Sequence, residues 1–66
     1  MKYIIIEVDG IMRTIINTKG KADKYGDAKL FNTRKSAEKW IDVHSYKGMS
    51  FKYEIREVED NYNEIQ

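Results

Sequence analysis

The 66-residue chain has no cysteine and a single histidine. No disulfide can staple the fold, and a zinc site built from Cys and His cannot be completed from within the chain. A domain this small buries only about 60% of its unfolded surface, and its core is worth on the order of 3–5 kcal/mol. It must therefore hold together by packing or by self-association. The lack of cysteine fits a reducing compartment, so a cytoplasmic location is expected. Long hydrophobic runs are missing too. Between Met1 and Val8 the apolar stretch covers about six positions, too few for a membrane span or a signal-peptide core. No membrane partner is expected.

An excess of one charge is also missing. The net charge is +1 and the pI is near 7.9, short of the value above about 9 that marks dedicated nucleic-acid binders. The charge is unevenly placed, however: residues 1–52 carry a net of +5 and residues 53–66 a net of −4. The four glycines, Gly10, Gly20, Gly26 and Gly48, build none of the glycine-rich loops that cradle phosphate. Asp23 and Asp27 lack the ligand series and closing glutamate of an EF-hand. Ser36, Ser45 and Ser50 have no nucleophile motif around them, and the closest carboxylates, Glu57, Glu59 and Asp60, fall toward a polar end. These absences predict a non-enzyme with no cofactor and no metal.

What remains is strongly patterned. Ala37, Trp40, Ile41 and His44 recur at i, i+3, i+4 and i+7 within Thr33 to Ser45, the spacing of one helical stripe. Asn32 or Thr33 can cap its start, and Lys47-Gly48 suits its end. Tyr3 to Val8 is rich in β-branched residues and reads as a strand, apolar at nearly every position and so central. Asp9-Gly10 is a hairpin turn leading to a second strand over Ile11 to Asn17. Residues 18–27 have no apolar period and read as an exposed, mobile loop. Ala28 to Phe31 is a short optional strand. Met49 to Val58 alternates, with Met49, Phe51, Tyr53 and Ile55 on one face. The expectation is an α+β fold: a small antiparallel sheet of three or four strands, in the order β-β-(β)-α-β, with one helix on one face. Residues 1–58 would form the single domain, and residues 59–66 a frayed acidic tail. The core should hold Ile4, Ile6, Ile15 or Ile16, Phe31, Ala37, Trp40, Ile41, Phe51 and Ile55.

Few residues are left over for recognition. His44 lies on the helical stripe and reads as structural, as does Trp40. Tyr25, Tyr46 and Tyr62 fall in loops or the tail, where tyrosine brings contact area with few rotors to freeze. Lys19, Lys21, Lys24, Arg34 and Lys35 surround Tyr25 and the helix start. With Tyr46 they make the candidate partner-binding set. One helix covers one sheet face, so Tyr3 and Ile5, opposite Ile4, Ile6 and Val8, are expected to form an open apolar patch for self-association as a dimer.

Two stretches carry a resemblance. Ala28-Lys29-Leu30-Phe31-Asn32-Thr33 running into Ser36-Ala37-Glu38-Lys39-Trp40-Ile41, and Tyr46 to Ile55, resemble short proteins encoded by phages and prophages of Gram-positive bacteria. The resemblance transfers no functional residue. It implies a class of role, the binding of a host protein, including inhibition of a defence protein. Two functions are thus expected in order: a non-catalytic protein-binding module, then a single-stranded nucleic-acid binder using the basic loop.

Overall fold

The computed structural model describes residues 1–64. Its elements are strand β1 (Lys2–Asp9), strand β2 (Met12–Ile15), helix α1 (Arg34–His44), strand β3 (Lys52–Val58) and a 3-10 turn (Tyr62–Glu64). The three strands form an antiparallel sheet in the order β2-β1-β3, with α1 across one face, as a small α+β fold requires. β1 is central. Ile4 and Ile5 are fully buried on opposite faces, which explains a strand with almost no polar alternation.

The hairpin is displaced by one residue from its expected position. Asp9 pairs with Met12, so the two loop residues are Gly10 and Ile11 rather than Asp9 and Gly10. Gly10 has φ +61°, and no non-glycine residue has a positive φ. Of the two favoured hairpin turns, only type II′ takes glycine first and a negative φ second. Ile11 is consequently thrown to the tip.

Thr33 caps α1, its hydroxyl oxygen accepting from the Ser36 N–H at 3.1 Å. The helix stops at an extended Ser45, short of Gly48. Gly48, at φ +90°, instead serves a separate turn in which the Met49 N–H donates to the Tyr46 carbonyl at 3.4 Å. The stripe packs as its spacing demands. Ala37 is buried, while Trp40 and Ile41 are half-buried against Phe31, Tyr53 and Ile55.

The helix covers the Tyr3 and Ile5 face, which corrects the expectation of an open patch there. Ile5 packs with Ile16, Phe31 and Ala37, and half-buried Tyr3 donates its hydroxyl to Glu57 at 3.2 Å. The face of Ile4, Ile6 and Val8 is closed without a helix. Ala28 and Val58 pack there, with Ile15, Leu30 and Tyr62 against them. Two apolar faces are thus covered by two different kinds of structure, and the ground for a dimer through Tyr3 and Ile5 falls away.

Two segments differ from their expected form. Residues 28–31 do not form a strand, but they make isolated bridges: Ala28 to Asn17 and Phe31 to Tyr3. The 3-10 turn, Tyr62–Glu64, is docked as well. The Asn63 side chain accepts from the Ala28 N–H at 2.9 Å and donates to the Ala28 carbonyl at 3.0 Å. Tyr62 and Asn63 of the expected tail therefore touch the sheet side of the chain, and residues 65–66 lie outside the described residues.

Candidate functional site

The 18–27 loop is exposed but built. Asn17 organises its first half, its side-chain oxygen accepting from the N–H groups of Lys19 and Lys21, each at 3.0 Å. The Gly20 N–H closes a turn on the Asn17 carbonyl at 2.9 Å, and Asn17 in turn donates to Lys21 at 2.8 Å. Asp23 sets the second half by accepting from the Tyr25 N–H at 2.9 Å, a side-chain turn typical of aspartate. The Asp23 N–H bonds the Ile15 carbonyl, and Thr18 bonds Asp27. A stretch with no apolar period is thereby held by its own polar groups. The expectation of an exposed loop stands, and its order comes from hydrogen bonds that hydropathy does not reveal.

This scaffold presents Tyr25 with 72% of its surface exposed. Lys19, Lys21 and Tyr25 line one open hollow together with Asp23 and Asp27. Lys24 lines the neighbouring cleft between the loop and β2, with Arg13, Asp23 and Asp27. That cleft holds about 130 Å³, well below the ~300–1,000 Å³ usual for small-molecule sites. Charges of both signs alternate through both depressions. The Lys24 ammonium lies 5.3 Å above the Tyr25 ring and occupies one of its faces.

The remaining candidate residues stand apart. Arg34 pairs along the helix with Glu38 at 3.7 Å, and Lys35 lines a shallow depression with Glu38, Lys39 and Asp42. Tyr46 is exposed at the other end of the helix, its ring edge-on to Phe51 at 6.4 Å. The candidate set therefore divides into a loop group, a helix-start group and one tyrosine. His44 stacks on Trp40 at 3.8 Å, and its Nδ1 lies 2.8 Å from the Trp40 carbonyl. The ring fastens the last helical turn.

One exposed feature was not anticipated. Ile11 is 98% exposed and Met12 64%, an apolar hairpin tip. The signal was in the sequence, since a type II′ turn beginning at Gly10 sends the following residue outward. Across the sheet, Arg13 bonds Glu54 at 2.6 Å and holds its carboxyl below the usual glutamate range. Among the described residues no three His, Cys, Asp or Glu side chains converge as metal ligands would. No helix of the described residues is long and apolar enough to cross a membrane. Comparison with known proteins finds no match to a family model, a curated protein or a solved structure.

Proposed function

We propose that the chain is a non-catalytic protein-binding module, acting in the cytoplasm as a phage or prophage accessory protein that binds a host protein and blocks its surface. The observation that carries this reading is Tyr25, displayed on a loop that its own hydrogen bonds hold in shape. An aromatic ring on a preorganised loop gives contact area at low entropic cost, and alternating Lys and Asp side chains around it suit a mixed-charge protein surface. Tyr46 and the Ile11-Met12 tip add contact area elsewhere on the molecule. The phage setting rests on the resemblance of residues 28–41 and 46–55.

Binding of single-stranded nucleic acid through Lys19, Lys21, Lys24, Tyr25, Arg34 and Lys35 is the second reading. It is disfavoured by the aspartates among the lysines and by Lys24 over the ring. Affinity capture from a bacterial lysate, with and without nuclease, separates the two. The expected result is a protein recovered after nuclease treatment by the wild-type chain and lost with Tyr25→Ala. Recovery abolished by nuclease, with oligonucleotide affinity falling log-linearly with salt, would transfer the function to nucleic acid.

A further inference from the structure

The outer edge of β3 is open. Tyr3 exchanges both backbone bonds with Phe31, and the Ile5 carbonyl accepts from Ile16, all on the β2 side of β1. Strand alternation turns Lys2, Ile4, Ile6 and Val8 toward β3, where they face Val58, Arg56, Glu54 and Lys52. The intervening Tyr53, Ile55 and Glu57 therefore hold their N–H and C=O groups out on the far edge. Among the described residues no backbone bond reaches them there. The opposite edge, β2, is four residues long and its Ile15 carbonyl is already taken by Asp23. β3 is thus the one long edge among the described strands with free pairing capacity.

We propose that this edge pairs with the β3 edge of a second copy, antiparallel about a two-fold axis through Ile55. In that register Ile55 faces Ile55 of the second copy, both being half-buried apolar side chains that complete their burial at the axis. Glu54 stands opposite Arg56 of the second copy, and by symmetry Arg56 stands opposite its Glu54. Both ion pairs lie at non-hydrogen-bonded positions, where side chains approach most closely. Arg13 engages only one oxygen of Glu54, leaving the other for this contact. Tyr53 faces Glu57, and Lys52 faces Val58, so every residue of the strand has a partner.

The same charges reject the neighbouring alignments. A slip of two residues is the smallest that keeps the hydrogen-bonding groups opposed. In one direction it sets Glu54 against Glu54 and Lys52 against Arg56; in the other it sets Arg56 against Arg56. Edge charges that normally prevent sheet-to-sheet association here disfavour both adjacent isologous registers. The result is a six-stranded sheet with both helices on the same face. This surface is distinct from the 18–27 loop, so the dimer and the protein-binding reading can fail separately.

Sedimentation from about 5 µM to about 1 mM tests the proposal, because mass action must shift monomer to dimer over such a range. Arg56 is exposed, so Arg56→Glu should leave the melt of the dilute monomer unchanged and weaken dimerisation roughly tenfold; Glu54→Arg should weaken dimerisation likewise but also lose the pair with Arg13, so its melt should fall. An equimolar mixture of the two variants restores opposite charges at both positions and should recover wild-type affinity. Amide exchange on the wild-type chain gives a reading independent of any variant. Protection of Tyr53, Ile55 and Glu57 should rise with concentration. A strictly monomeric chain across the range would overturn the proposal and leave the edge to a strand from a foreign protein. So would a dimer indifferent to both substitutions, or exchange at those three amides unaffected by concentration.

Discussion

Gly10 decides where the hairpin ends and what it displays. Its φ of +61° lies in the left-handed region, yet a Cβ built there meets nothing within 4 Å. Space is not the obstacle to a larger residue; backbone conformation is. Gly10→Ala should cost about 1–2 kcal/mol, the penalty of an L-residue in that region. D-alanine at the same position carries a methyl group without the penalty and should match or exceed wild-type stability. Urea melts of the two synthetic chains distinguish them, and equal losses would show that the turn is not of type II′. Because glycine occupies the first loop position, Ile11 is placed at the tip without strain, where burial offers it nothing.

Trp40 makes three ring contacts, one to the sheet, one to the segment before the helix and one within the helix. It meets Tyr53 edge-on at 5.3 Å and Phe31 at 6.5 Å, and stacks on His44 at 3.8 Å. The loop approaches it as well, since a Cβ on Gly20 would lie 3.9 Å from the indole. Helix α1 has one fully buried side chain, Ala37, so its attachment depends on half-buried aromatics rather than on a deep stripe. Trp40→Ala should cost about 3 kcal/mol, the low end for an aromatic deletion because the ring is only half-buried. Against a total of order 3–5 kcal/mol that leaves about 0–2 kcal/mol, so the melting midpoint should fall sharply toward ambient temperature. Far-ultraviolet circular dichroism during thermal melting checks it, and a melt close to wild type would mean that the helix is held by other contacts.

The C-terminal segment acts as the cover of the second sheet face. Tyr62 lies against the cluster of Ile4, Ile6, Val8, Ala28 and Val58, and Asn63 clamps both backbone groups of Ala28. A chain ended at Val58 would open this face to water and leave Ala28 without its side-chain partner. It should lose about 2–4 kcal/mol, combining the apolar area of one tyrosine with two hydrogen bonds. Asn63→Ala alone should cost about 1–2 kcal/mol and raise amide exchange at Ala28. Denaturant unfolding of the two variants measures both terms. A shortened chain as stable as the full one would show that residues 59–66 are dispensable.

The helix, the hairpin and the central position of β1 were legible because each is written in contacts between near neighbours. Thr33 reaches Ser36, the helical stripe repeats every three or four residues, and a run of β-branched residues has one low-energy backbone form. The division of labour between the two sheet faces was not legible. A strand apolar at Tyr3, Ile4, Ile5, Ile6 and Val8 has no polarity in its alternation, so nothing local says which face takes the helix. The order of residues 18–27 was hidden for a related reason, since polar side chains that solvate a mobile loop and polar side chains that hold a rigid one look the same in composition. Asn63 and Ala28 are 35 positions apart, and their pairing exists only once β1 and β3 are side by side. Local periodicity specifies elements. Which apolar face meets which cover is settled by long-range packing, where Ile5 found the helix and Ile4 found Ala28, Val58 and Tyr62.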